Sequence, residues 1–393
     1  MAIDKKVLNV PHLRFPEFTE EWVNVSLKDV ADFQKERISS GLLDESTYIS
    51  TENILQNFQG VQSAISIPAN TNVIAYKKND ILLSNIRPYL KKVWFSDRIG
   101  GCSADVFVLR SKTCEPEFLY NVIASDKFIN YVMSGAKGVK MPRGDKNQMG
   151  SFSFSIPAVA EQRKISRLFQ LLDERIATQN KIIEKLQSLI SGIIQNAIQK
   201  GLNDNTWEMI YLSKLLTERK EKNRNGYEVS SVSVSEGVIN QIEYLGRSFA
   251  ASDTSKYNVV RYGDIVYTKS PTGNFPYGII KQSFQKHPVA ISPLYGVYEP
   301  YSNEAGCFLH YYFLSSIVTT NYLSPLIQKG AKNTINISNQ TFLNNIVPYP
   351  KEEVGIIPIA ALLRNVQIKL NIERLSLVLL EQQKIYLLRG MFI

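Results

Sequence analysis

The chain repeats itself once. The stretch "NDILLSNIRPYLKKVWF" (Asn79–Phe95) is answered by "GDIVYTKSPTGNFPYG" (Gly263–Gly278). Both read as a polar turn, Asp-Ile, a short apolar strand and a loop with Lys or Arg. The match extends outward. "EWVNVSLKDV" (Glu21–Val30) resembles "TWEMIYLSKLL" (Thr206–Leu216), which pairs Trp22 with Trp207 and Leu27 with Leu212. "FLYNVIAS" (Phe118–Ser125) resembles "LHYYFLSS" (Leu309–Ser316), and "SGAKGVK" (Ser134–Lys140) resembles "KGAKNTI" (Lys329–Ile335). "SIPAVAEQRKI" (Ser155–Ile165) resembles "IVPYPKEEVGI" (Ile346–Ile356). The offset drifts from about 184 to about 195, as loop insertions would produce. A period this long marks a duplicated domain, because solenoid repeats run roughly 20–50 residues. Two similar bodies are therefore expected.

Each copy has two parts. The first mixes short strands and turn signals, such as "NVIAY", "DILLSN", "ADVFVLR", "DIVYTK" and "LYGVYEP". A helix-like stretch follows near Phe118–Met133 and again near Phe308–Gln328, with Pro325 expected to interrupt the second. The second part is a long helix. From Phe169 the apolar residues step by three and four through Leu172, Ile176, Gln179, Ile183, Leu186, Ile190, Ile193 and Ala197, and only Gln179 is polar. Glu161 lies in the first turn, where the helix dipole favours an anion. In the C-terminal copy Ile359, Leu363, Val366, Leu370, Leu377, Leu380 and Leu387 share a face that Glu373 and Lys384 interrupt. Ile368, Ile372, Leu375 and Leu379 mark a second apolar face.

These helices can be read as ordinary core helices of two globular domains or as a mutual coiled coil. A seam of about four heptads favours the second reading, since a strict 3-4 pattern wants one partner helix. Connectivity then makes the pair antiparallel. The expected fold is α+β: two similar mixed α/β domains, residues 1–157 and 202–349, separated by helices 158–201 and 350–393, with pseudo-twofold symmetry. About 40 residues at ~1.5 Å each would hold the domains roughly 50–60 Å apart. That is about one and a half turns of B-DNA at roughly 34–36 Å per turn.

The net charge of +9 points towards a polyanion. The excess is spread as +2, +3, +2 and +2 over residues 1–157, 158–201, 202–349 and 350–393, so any footprint must be local. Local clusters exist. Lys77, Arg87, Lys91 and Lys92 crowd the first Asp-Ile unit, and Lys137, Lys140, Arg143, Lys146 and Asn147 share a Gly-rich loop. In the second copy the candidates are Arg219, Lys269, Thr272, Asn274, Lys329, Lys332 and Asn333. Lys and Arg neutralise phosphates, while Arg, Asn and Gln can read base edges. A solvated surface charge is the plain alternative for any one of them.

Other classes find little support. Three scattered cysteines and three isolated histidines suggest neither a disulfide framework nor a metal site. No phosphate loop and no nucleophile elbow are present. "NFPY" (Asn274–Tyr277) is an imperfect version of the N-P-P-Y motif of adenine methyltransferases and suits a turn better. "MAIDKKVLNV" lacks the apolar core of a signal peptide and no apolar run reaches membrane-spanning length, so a cytoplasmic protein is expected. A self-sufficient methyltransferase or nuclease and a coiled-coil scaffold without a DNA role remain the competing readings.

With these residues in view, the chain resembles the specificity subunit of type I restriction-modification systems. "PHLRFPEFTEEW" (Pro11–Trp22), two domains, two long helices each preceded by an Ile/Val-Pro turn, and the ending "LLRGMFI" carry the resemblance. The resemblance implies two target recognition domains that each read half of a bipartite double-stranded DNA sequence. The paired helices would fix the unread spacer and dock two modification (methyltransferase) subunits. Restriction (translocase/nuclease) subunits would join that core. S-adenosylmethionine, ATP and magnesium would sit on those partners, and none on this chain, which would carry no chemistry of its own.

Overall fold

The computed structural model describes residues 9–138, 140–327 and 336–392. The fold is α+β and divides into two compact units. One comprises Met1–Thr178 with Leu377–Ile393, the other Gln179–Ser376. Each unit thus contains one globular part and a portion of both long helices, Val159–Asn203 and Ile357–Met391.

In the first unit, Trp22 leads into β1 (Val23–Ser26), and β2 (Ala31–Phe33), β3 (Ile81–Ser84), β4 (Val93–Phe95) and β5 (Val106–Ser111) form an antiparallel sheet in the order β2-β5-β3-β4. β6 (Ser153–Ile156) returns to pair with β1, Val23 opposite Ile156, and delivers the chain to the central helix. A second four-stranded sheet carries Arg37–Ser39, Asn72–Tyr76, Gly100–Cys102 and Tyr48–Ile49 in that order.

The second unit repeats the main sheet. β7 (Trp207–Tyr211) pairs with β12 (Ile346–Pro350), as β1 does with β6. Between them β8 (Leu216–Glu218), β9 (Ile265–Tyr267), β10 (Ile280–Gln282) and β11 (Gly296–Pro300) assemble as β8-β11-β9-β10. The matched tryptophans do the same work. Trp22 meets Phe118 edge-on at 6.1 Å and Trp207 meets Phe308 at 5.5 Å, so each ties the first strand to the following helix.

The helix-like stretches differ from the expectation of one helix each. Near 118–133 there are two, Pro116–Ile123 and Asp126–Ser134, because the Ser125 hydroxyl accepts from the Phe128 N–H and caps a fresh start. Ser315 does the same for Ser316–Leu323 after Asn303–Tyr312. That helix ends before Pro325, which sits in a 3-10 turn.

Within each unit, portions of the two long helices meet. In the first unit Phe169 and Leu172 are buried, Ile176, Leu377 and Leu380 are half-buried, and Phe169 meets Phe392 at 5.8 Å. Asp173 meets Lys384 at 2.5 Å, so from Phe169 to Asp173 the partner position moves back from Phe392 to Lys384 and within this unit the two helices run antiparallel. In the second unit Ile183, Ile190, Leu363, Val366 and Leu370 are buried, with Leu186 and Ile193 half-buried. The seam there continues through buried Ile194, a step of four that the regular pattern does not announce. The polar interruptions are one another's partners: the Gln179 Nε2 donates to the Glu373 carbonyl at 3.0 Å and to its carboxylate.

The N-terminal motif grips both helices inside the first unit. Arg14 holds Glu161, which is only 1% exposed, through two bonds of 2.8 and 2.7 Å. The Leu13 N–H donates to the Gly390 carbonyl at 2.8 Å, and a Cβ on Gly390 would come within 2.5 Å of Leu13. This explains the pairing of "HLRF" with an ending that carries glycine.

Candidate nucleic-acid interface

The repeated Asp-Ile unit is first a structural lock. Asp80 accepts from the Lys77 N–H at 2.7 Å and takes both arms of Arg110 at 2.8 and 2.7 Å. Asp264 accepts from the Arg261 N–H at 2.8 Å and takes Arg219 at 2.7 and 3.0 Å. Burial raises the Asp264 pKa, and the Arg219 hydrogen bonds oppose it. The isoleucines, Ile81 and Ile265, enter the cores. The lock fixes the start of the strand, and the strand fixes where its far end opens into a loop.

That far end is basic and conformationally unusual in both units. Arg87 (φ +52°), Lys91 (φ +53°) and Lys269 (φ +54°) all lie in the left-handed region that L-residues rarely occupy. They are the Lys and Arg residues among the non-glycine residues described there.

In the first unit this loop is joined to the Gly-rich loop. The Arg87 N–H donates to the Pro142 carbonyl at 2.8 Å, and the Gly144 N–H to the Asn85 carbonyl at 3.2 Å. Lys137 and Arg143 exchange backbone bonds of 3.0 and 2.9 Å. The structure therefore brings Arg87, Lys137, Lys140 and Arg143 onto one shelf, with Tyr89 and Met141 exposed beside them. Neither apolar side chain was among the sequence candidates. Lys77 stands at the opposite end of β3, beside Glu36 at 3.4 Å.

Several of the candidate cations in this unit are engaged internally. Lys91 meets Asp126 at 2.6 Å, and Arg143 meets Asp105 at 3.0 Å. Lys92 reaches the Thr51 carbonyl, and burial lowers its pKa. The Lys146 ammonium lies over the Phe107 ring, 4.6 Å from its centroid. Lys137 is 86% exposed with only Asp145 at 4.0 Å, and Lys140, Arg87 and Asn147 are exposed.

The second unit is different at the same strand exit. The Lys269 ammonium donates to Asn339 Oδ1 at 2.6 Å, and burial lowers its pKa. Asn339 in turn donates to Glu218, a link between distant segments that no local sequence signal announces. Thr272 and Phe275 exchange backbone bonds of 3.0 Å, which makes "NFPY" part of a tight turn with Phe275 buried and Asn274 exposed at its tip. Arg219, with 15% side-chain exposure, is held by Asp264, Glu299 and Glu221. Lys329, Lys332 and Asn333 lie outside the described residues.

Among the described residues no group of His, Cys, Asp and Glu is placed to hold a metal ion, and no helix is long and apolar enough to cross a membrane. Cys102, Cys114 and Cys307 are buried and unpaired by disulfide.

Comparison with known proteins gives a consistent picture. A family described as the type I restriction modification DNA specificity domain matches residues 19–188. The EcoDI specificity subunit of Escherichia coli is 23% identical over 195 residues, 48% of this chain and 44% of that protein. The MjaVIII specificity subunit of Methanocaldococcus jannaschii is 26% identical over 195 residues, with the same shares. The chain thus spans less than half the length of these relatives. In fold, it resembles the type I restriction-modification S subunit from M. genitalium, with a TM-score of 0.61 at 13% identity over 98% of this chain and 99% of that one. A chain from a structure on complex assembly and conformational transition of the type I R-M system gives 0.51 at 17% identity, over 93% and 96%.

Proposed function

We propose that this chain, a member of the type I restriction-modification DNA specificity family, selects the DNA sequence on which a larger complex acts. Residues 1–157 and 202–349 each read one half of a bipartite duplex target. Helices 158–201 and 350–393 set the unread spacer between the halves. Modification subunits dock on the helices, for which the exposed apolar Ile368, Ile372 and Leu375 provide a surface, and restriction subunits join that assembly. S-adenosylmethionine, ATP and magnesium belong to those partners. The chain works in the cytoplasm and supplies specificity.

The observation that carries this reading is the repetition of one device in both units. An Asp-locked strand, held in the same sheet order, opens into a loop rooted in left-handed Lys or Arg. Such loops suit duplex reading because cations meet phosphates while fixed side chains meet base edges. A good bidentate base contact contributes about 1–3 kcal/mol, so one unit alone discriminates poorly. Joining two readers makes the second engagement intramolecular, and spacing becomes part of the recognition.

The test is a domain exchange in the assembled methylating complex. Replacing residues 202–349 by the corresponding part of a relative should change one half of the methylated sequence and leave the other. A change in both halves, or in neither, would refute it.

A further inference from the structure

We propose that Arg87 is the base-reading residue of the first unit and that it recognises the O6/N7 edge of a guanine. Lys137 and Lys140 then hold phosphates. The proposal rests on the DNA-reading function above and assigns roles among cations that the sequence cannot tell apart.

A guanidinium that reads a base needs a fixed root and a free head. Arg87 has both. Its N–H is held by the Pro142 carbonyl at 2.8 Å, and its own carbonyl accepts from the Leu90 N–H at 2.9 Å. Pro88 follows it and opens a 3-10 turn, and a following proline ordinarily favours extended backbone in the residue before it. The left-handed conformation, φ +52° and ψ +62°, is therefore held against that preference by the two hydrogen bonds. Yet the side chain is exposed, and no acceptor for its guanidinium occurs among the described residues. Strain held in place around an uncompensated charge marks a functional position more than a structural one.

The neighbours divide the work. Arg143 is held by Asp105 and Lys91 by Asp126, so both are turned to carboxylates of the unit itself. Lys137 and Lys140 lie on the Gly-rich loop, exposed and without a tight partner among the described residues. An ammonium is a point charge on a flexible stem, suited to phosphate, whereas the planar fork of arginine matches two acceptors at once. Guanine offers that pair of acceptors in the major groove. Asn85, two residues before Arg87, has a buried side-chain oxygen without a donor among the described residues.

The test uses the assembled methylating complex on a library of randomised half-sites, read by sequencing the methylated products. Arg87→Gly is the informative variant, because glycine adopts positive φ freely and removes only the side chain. The expected result is a loss of about ten-fold or more in preference for guanine at one position of the first half, with the second half unchanged. Arg87→Lys should not restore that preference. Lys137→Ala with Lys140→Ala should preserve both halves while methylation becomes weaker and less dependent on salt. Arg87→Gly methylating both original halves with undiminished preference would overturn the proposal. So would a uniform loss of methylation with guanine preference intact, which would mark a phosphate contact. A parent complex with no sequence preference at all would instead remove the DNA-reading function on which the proposal stands.

Discussion

Replacing Lys281 with methionine should stabilise the second unit at neutral pH, and the gain should disappear in alkali. Lys281 lies on β10 opposite Val266 and is only 4% exposed. Val266 belongs to a valine-rich core cluster, and the described residues offer the ammonium no acceptor. The nearby His310 ring is buried, and its Nδ1 accepts from the Gln282 N–H at 3.1 Å. Burial lowers the Lys281 pKa from 10.5 to about 8. That drop corresponds to about 3 kcal/mol against the folded state wherever the lysine is charged in both states. Below pH 8 the penalty is present in full. Between about 8 and 10.5 the unfolded chain binds more protons than the folded one, so stability of the parent rises with pH. Above that interval no penalty remains. Lys281→Met should therefore gain about 2–3 kcal/mol at pH 7 and little at pH 10.5. Urea unfolding read from Trp207 fluorescence, with Trp22 and Trp94 replaced by phenylalanine, measures it. A variant no more stable at pH 7, or one whose gain is the same at both pH values, would refute the reasoning. β9 and β10 carry the loop with Lys269, Thr272 and Asn274.

Other outcomes follow from the same structure. Seven residues inserted into each long helix at matched positions add about 10 Å, which should lengthen the preferred spacer by about three base pairs and leave both half-sites alone; methylation mapping reads this. Asp80→Asn removes the carboxylate from Arg110 and should destabilise the first unit by about 2–3 kcal/mol in urea unfolding. His310 is held near a pKa of about 3 by burial. Its unfolded form takes a proton near pH 6.5, so stability of the second unit should fall as pH drops from there towards 3, and His310→Gln should flatten that part of the curve in a pH series of unfolding midpoints.

Much of the architecture is written locally. The Trp–strand openings of the two copies, the Asp-Ile strands and the three-four stepping from Phe169 to Ile190 are short-range patterns, and each reports a backbone period or a turn. The helix break at Ser125 was equally local, since a serine three residues before a buried Phe128 is a cap, yet the apolar run across it reads as one helix. The polar residues in the seam were harder. Gln179 and Glu373 look like flaws in two separate stripes, and they become a hydrogen-bonded pair only when the helices meet.

The candidate site shows the division most sharply. Sequence alone determined that two similar bodies exist, that long apolar-striped helices accompany them, and that each strand exit carries cations, because periodicity and charge are properties of neighbouring residues. Only the tertiary structure decided that Arg219 closes on Asp264, that Lys269 turns inward to Asn339, and that Arg87 is exposed with no acceptor for its guanidinium among the described residues. A cation is engaged by whichever carboxylate or carbonyl the fold carries to within about 3 Å, and that approach depends on chain segments far apart in sequence.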